Sequence, residues 1–363
     1  MIFLPALTAF AQDGKEFDVK IMGNSATVFD DNITFAEENK KEDLIIKSGL
    51  GIDTVYNGKN NILQMNGTMN YNLFTQNETF NNASQDLLLV LKTGLSKYQQ
   101  VELKNEFSHT AEPRSFEDAF GRTTGRYGAY RNQFDIKYNQ EISKQWNFAG
   151  KYSNQAYEVS RNDLPDSLLH RAGFDASYSP ASYMNLISGY EFSTRKFDPG
   201  KSANTHRTAG EIIYSLTQTL SLDEKLGVDF ITSYNDNHYT KPFNKIAINN
   251  ALNKKTNFNI AFSKESQANA YTQDIFNYWQ VSSFLEKQLL EKLMGSVSGY
   301  FGQGKYLALN IKDNLQGLGL QLTYEFSKLL QGNLNYTYSN VDSTSLGRDY
   351  SKNKILLGIT AEF

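Results

Sequence analysis

Apolar residues recur at every second position along most of the chain. Leu63, Met65, Met69, Tyr71 and Leu73 alternate with Gln64, Asn66, Thr68, Asn70 and Asn72. Trp146, Phe148, Gly150 and Tyr152 alternate with Asn147, Ala149, Lys151 and Ser153, and Leu318, Leu320, Leu322, Tyr324 and Phe326 with Gly319, Gln321, Thr323 and Glu325. Leu334, Tyr336 and Tyr338 are set between Asn333, Asn335, Thr337 and Ser339. Successive side chains of a strand point to opposite faces, so each stretch reads as a strand with an apolar side and a polar side. The stretches run for about ten residues, the span a tilted strand needs to cross a bilayer. Beyond the first dozen positions no run of about 18 apolar residues occurs, so no transmembrane helix is expected.

The connections between these stretches alternate in length. Short ones fall near Asn57 to Asn60, Tyr98-Gln99, Lys144-Gln145, Ser179-Pro180, Thr219-Leu220, Asn253-Lys254, Leu289-Leu290 and Lys328. Longer polar ones lie near 31–42, 75–84, 109–126, 160–166, 197–204, 235–241, 267–272, 304–314 and 342–349. Transmembrane barrels join their strands by short turns at one end and long loops at the other. The pattern therefore predicts an all-β fold: a single antiparallel up-and-down transmembrane β-barrel of about eighteen strands, with sixteen as the alternative. Short turns and both termini would face the periplasm. A soluble β-sandwich also alternates with period two. Here, however, nearly every polar face mixes Asn, Gln, Ser, Thr, Gly and charges of both signs, which suits the wall of a wet lumen. A barrel of this size leaves an aqueous channel instead of a core filled by side chains.

Composition sharpens this reading. Tyr and Phe, 22 and 24 of the 363 residues, far outnumber the two Trp, while Pro occurs six times and Cys not at all. Aromatics suit strands and membrane-interface girdles, and scarce Pro suits unbroken ladders. The formal net charge of −3 gives no basic surface for nucleic acid. Met1 to Ala11 reads as the rear of a signal peptide, ending in the A-x-A pattern Ala9-Phe10-Ala11, which leaves 12–363 as the barrel.

The last strand ends on Phe363, after Ile355, Leu357, Ile359 and Ala361 on one face. A terminal aromatic in this position resembles the signal that the barrel-assembly machinery reads in bacterial outer-membrane barrels. The resemblance makes that machinery and outer-membrane lipid the expected partners, and Phe363 the assembly signal. Phe29-Asp30-Asp31-Asn32-Ile33, Glu112-Pro113-Arg114 and the closing strand carry a further resemblance, to an outer-membrane β-barrel porin family often encoded with exopolysaccharide biosynthesis and export systems. It implies a periplasmic polysaccharide-export protein as partner and a polysaccharide as cargo. Family membership does not by itself fix the cargo.

Candidate chemistry is sparse. The sequence has no phosphate loop, no H-E-x-x-H and no paired Cys, so neither catalytic nor metal or cofactor residues are assigned and the chain reads as a non-enzyme. His109, His170, His206 and His238 are scattered, and Asp236 with His238 reads more simply as an ordinary polar loop than as a water-polarising pair. The longest connection brings Arg114, Arg122, Arg126 and Arg131 together with Glu112, Glu117 and Asp118. Folded inward, these would narrow the pore and set a transverse field; folded outward, they would pair in a solvated cap. Asn66, Asn70, Gln321, Asn333, Asn335 and Thr337 are the expected lumen lining. Amides and hydroxyls suit a sugar polymer, but any water-filled pore needs a polar wall. A conduit for exopolysaccharide secretion is the leading reading; a general diffusion porin and a plugged surface adhesin or structural barrel are the others.

Overall fold

The computed structural model describes residues 16–112, 126–161, 164–198, 200–253, 255–269 and 273–363. They form eighteen strands: β1 (Glu16–Asp30), β2 (Asp43–Asn57), β3 (Asn61–Phe74), β4 (Asn82–Ser96), β5 (Gln99–Thr110), β6 (Ala129–Glu141), β7 (Trp146–Val159), β8 (Asp166–Ala181) and β9 (Met184–Asp198). The second half holds β10 (Ser202–Ser215), β11 (Leu220–Thr232), β12 (His238–Asn253), β13 (Thr256–Ala268), β14 (Ile275–Leu290), β15 (Leu293–Tyr306), β16 (Lys312–Ser327), β17 (Leu330–Ser343) and β18 (Tyr350–Glu362). Each strand pairs antiparallel with its neighbours in sequence, and β1 also pairs with β18. The sheet therefore closes on itself and leaves no edge with unpaired amides, which hydrocarbon would not tolerate.

Closure is completed by the last residue. Phe363 exchanges two backbone hydrogen bonds with Ile21, at 2.8 and 3.0 Å, and leaves its ring 76% exposed on the outer surface. Beside it, Lys20 pairs with Glu362 at 2.8 Å.

Cross-strand partners share a face, so the register sorts the strands into an outer and an inner set. Leu320 faces Tyr336, and Thr27 faces Leu357, among apolar side chains such as Leu50, Leu318, Leu357 and Ile359 that are open to the surroundings. This is the lipid face. Outward rings collect towards the two ends, with Phe17, Trp146, Phe148, Tyr324 and Phe326 near the short turns and Phe29, Tyr130, Phe230 and Trp279 near the longer connections. Such girdles match the two interfaces of a bilayer.

Strands of 12 to 16 residues are longer than the membrane requires. The excess lies at the loop end, where the ladders run on and shrink several connections that the sequence suggests are long. That between β9 and β10 is reduced to 199–201 and that between β11 and β12 to 233–237. Two turns lie elsewhere than expected, and the one placed at Leu289-Leu290 falls at 291–292, past the end of β14. At the other the chain reverses at 182–183, not at Ser179-Pro180, because β8 absorbs Pro180 in a register shift between Tyr178 and Ala181. A bulge frees Pro from the need to donate to the ladder.

Candidate functional site

The site is the lumen, and its two ends differ in how the chain fills them. At the loop end, apolar clusters sit inside the rim. Phe35, from the first loop, packs with Phe276, Tyr306, Leu315, Val341 and Tyr350, and its ring meets that of Tyr350 edge-on at 5.2 Å. A second cluster joins Phe197, Ala203, Ile231 and Tyr234 to Ile275.

The loops are held there by carboxylates, of which Asp43 and Asp274 are buried and accept backbone amides of a neighbouring connection. Asp43 accepts the backbone N–H groups of Thr75, Gln76 and Asn77 at 2.9 to 3.1 Å. Asp274 accepts those of Ala308 and Leu309 at 3.0 and 2.9 Å. Asp31 holds both the backbone N–H and the side-chain amide of Asn353 at 2.7 Å.

The segment Asp30-Asp31-Asn32-Ile33 thus belongs to the seam. Asp30 pairs with Lys352 at 2.8 Å, Asn32 donates to the Ser351 carbonyl at 2.9 Å, and Ile33 is fully buried beside Val28, Ile45 and Phe74. These contacts stitch the top of β1 to the top of β18.

Glu112 stands at the start of the longest connection, just beyond β5, yet its carboxylate reaches Lys352 and Lys354 of β18 at 3.1 and 3.2 Å. Five strand-to-strand steps separate β5 from β18 along the wall, so this stem crosses inside the mouth. Arg126, on the returning stem, meets Glu112 at 3.3 Å, donates to the Ile33 carbonyl at 3.2 Å and lies over the Phe74 ring. Burial by itself would raise the Glu112 carboxyl, but Lys352, Lys354 and Arg126 outweigh it and hold the group well below the usual carboxylate range. Beneath the stems lies a cavity of about 480 Å³, lined in part by Lys47, Asn70, Asn72, Asn82, Ser84 and Asp86. Of the constriction candidates, Arg114, Glu117, Asp118 and Arg122 lie outside the described residues. Arg131 belongs to the wall, on β6, where it donates to Gln133.

Further down, the wall divides by charge. From β4 to β13 the inward positions carry a mixed-sign ladder that sequence reasoning missed. One rung runs Lys92, Glu102, Lys137, Lys151, with Lys92 and Glu102 at 3.5 Å and Lys151 paired with Asp175. Another links Glu211, Lys225 and Lys245, with Glu265 3.0 Å from Lys245. Arg207 clasps Asp229 through two bonds at 2.7 and 2.8 Å. The directly opposed Lys137/Lys151 and Lys225/Lys245 pairs would repel alone; a carboxylate on each outer flank compensates them. No local sequence signal marks this ladder, because the partners lie on different strands and meet only through register.

From β14 to β17 the wall is neutral. Between Asp313 near the loop end and Glu286 and Glu325 near the turns, the inward positions are Gln, Ser, Gly, Asn, Thr and a few apolar or aromatic residues. Gln321, Asn333, Asn335 and Thr337 fall here, while Asn66 and Asn70 face inward from β3, opposite Asp53 and Gly49. The Tyr300 ring lies flat on Gly317, where a Cβ would overlap it, and so occupies little of the bore.

The four histidines all point away from the lumen. His109 stacks on Tyr130 with centroids 4.2 Å apart, His170 and His206 bond to Tyr152 and Tyr190, and His238 bonds to Thr232, not to Asp236.

Against known proteins, residues 265–363, the end of β13 and the last five strands, match the family described as "Putative beta-barrel porin 2". No curated protein matches. Among solved structures, the outer membrane protein OpdK from Pseudomonas aeruginosa is 9% identical, with 95% of this chain and 99% of that one covered and a TM-score of 0.50. OccAB4 from Acinetobacter baumannii is 11% identical over 96% and 98% of the two chains, again at 0.50. At such identities the likeness speaks for the fold alone, and together with the topology it makes this chain a closed, porin-like barrel of the outer-membrane type.

Proposed function

We propose that the barrel is a non-enzymatic conduit of the outer membrane that passes a secreted exopolysaccharide. The observation that carries this reading is the neutral amide and hydroxyl wall of β14 to β17, set in a lumen wide enough to hold water. An uncharged polymer exchanges hydrogen bonds with such a wall at little cost, whereas fixed charges would hold their own hydration or their ion partners. The loop end faces outward, both termini lie in the periplasm, and the short turns meet a periplasmic polysaccharide-export protein. Phe363, whose ring stands free on the outer surface, is the feature read by the barrel-assembly machinery. Glu112 and Arg126, on the two stems of the longest connection, narrow the mouth. A general diffusion porin is the second reading, and the mixed-sign ladder of β4 to β13 favours it, since such a wall passes small ions of either sign. Deleting the gene and measuring secreted polymer separates the two. Loss of secretion, restored by the wild-type gene, supports the conduit; undiminished secretion with solute uptake impaired supports the diffusion porin.

A further inference from the structure

Most large apolar side chains of the strands that are more than a third exposed look outward to lipid. Phe284 does not. Its cross-strand partners, Asn259 and Ser298, are inward residues, and its chain neighbours Ser283 and Leu285 take the outer face. It lies well inside the span of β14, is 40% exposed, and belongs to none of the apolar clusters at the rim. Among the described residues no aromatic ring stacks on it. A ring left in water in this way contributes little to folding, since apolar area stabilises only when it is removed from solvent. Its surroundings are those of a platform. The inward rung through Phe284 reads Asn249, Asn259, Phe284, Ser298, Gly319, Thr337, and the rung towards the short turns places Glu286, Ser296, Gln321 and Asn335 beside it. Ser298 reaches over Gly319, which has no side chain to raise the wall there. Gln321 is itself exposed to the lumen.

We propose that Phe284 is the stacking platform of a lumenal binding site for a neutral pyranose unit, with the Asn259, Ser298 and Gln321 side chains exchanging hydrogen bonds with its hydroxyls. The C–H face of a pyranose is apolar and matches an exposed ring, while its equatorial hydroxyls reach sideways to amides and hydroxyls. No formal charge stands on that rung from Asn249 to Thr337, and Glu286, on the next rung, can accept from a neutral sugar's hydroxyls but repels an anionic one. The assignment rests on the conduit reading and names its cargo class.

The test is equilibrium dialysis of labelled cellohexaose and maltohexaose against the full-length barrel purified in detergent, with hexagalacturonate as the anionic counterpart. Saturable binding of at least one neutral hexamer, with the anionic one weaker, is expected. Phe284→Ala should weaken it about tenfold, the loss of one stacking contact, while Phe284→Tyr retains it. Heat-modifiability on gels checks that each variant is folded, and Gln321→Ala, on another strand, gives an independent weakening if Phe284→Ala does not fold. No saturable binding to the wild type, or equal binding by Phe284→Ala and Gln321→Ala, overturns the site. The conduit reading fails separately, if deletion of the gene leaves secretion intact while the hexamers still bind in a Phe284-dependent way.

Discussion

The two ends of this barrel are built by opposite means. At the short-turn end the strands simply reverse. Five of the hairpins carry register shifts there, the residues are exposed, and the pair that closes the seam, Lys20 with Glu362, stands in solvent. At the loop end the seam is closed by Asp30 and Lys352, whose side chains are 0 and 4% exposed, and the connections are tied inward by Asp31, Asp43 and Asp274. An exposed ion pair contributes little because water and salt screen it, whereas a buried one is costly to break because the surviving charge loses its partner out of reach of solvent. Among the described residues the more tightly tied end is therefore the one with long loops, contrary to the ordinary expectation that loops are the loose parts.

This contrast can be broken. Lys352→Ala strands the Asp30 carboxylate and should cost about 3–5 kcal/mol, read as an earlier urea transition of the heat-modifiable band. Equal loss from Lys20→Ala would abolish the distinction, since that change in the exposed pair should leave the transition where it was.

The wall between the ends gives the next effect. Leu320→Arg puts a charge in lipid and should cost about 2–4 kcal/mol near the midplane, while Gln321→Arg, one residue on and facing the lumen, should fold normally. Similar folding yields for the two would mean that the register is wrong, because a slip of one residue exchanges the faces.

The smallest effect sharpens the comparison by pH. The Glu112 carboxyl is held below its unfolded value of about 4.3, so its contribution is complete above that value and is lost as pH falls through its own lower one. Protection of Thr110 and Ala111 amides from hydrogen exchange, corrected for the intrinsic rate, should be constant from about pH 7 to 5 and fall in stronger acid. Glu112→Gln should remove that acid dependence. A fall in protection between pH 7 and 5 in the wild type would point to a different group.

Much of this architecture is legible in the sequence because period two is a local property. Leu318 to Phe326 and Ile355 to Phe363 declare both their strands and their outer faces, and short and long connections alternate as a barrel requires. What is not legible arises from register between distant segments. Arg207 finds Asp229 on the next strand, and Glu112 finds Lys352 at 240 positions' distance. The overshoot of the strands at the loop end is hidden for a related reason. Inward apolar residues such as Phe197, Ile231 and Tyr306 interrupt the polar face, so the alternation blurs where loops fold back to cover them. Among the described residues of the candidate constriction, Arg131 lies in the wall itself, while the stem residues Glu112 and Arg126 join it through pairs that no spacing rule foretells. The amides of β16 and β17 followed directly from the dyad pattern, whereas Phe284 did not stand out: an aromatic next to Leu285 reads as lipid-facing until the register places it inside.

The central claim is that the inner wall lines a water-filled passage through the membrane. The absence of native cysteine makes this directly testable with Asn335→Cys, one inward side chain on β17. Single-channel recording in a planar bilayer, before and after a bulky, membrane-impermeant thiol reagent, should show discrete open steps that shrink on modification, with no change when Leu320→Cys is treated in the same way. A barrel that conducts equally before and after modification of Asn335→Cys, or one that responds only through Leu320→Cys, would contradict the account.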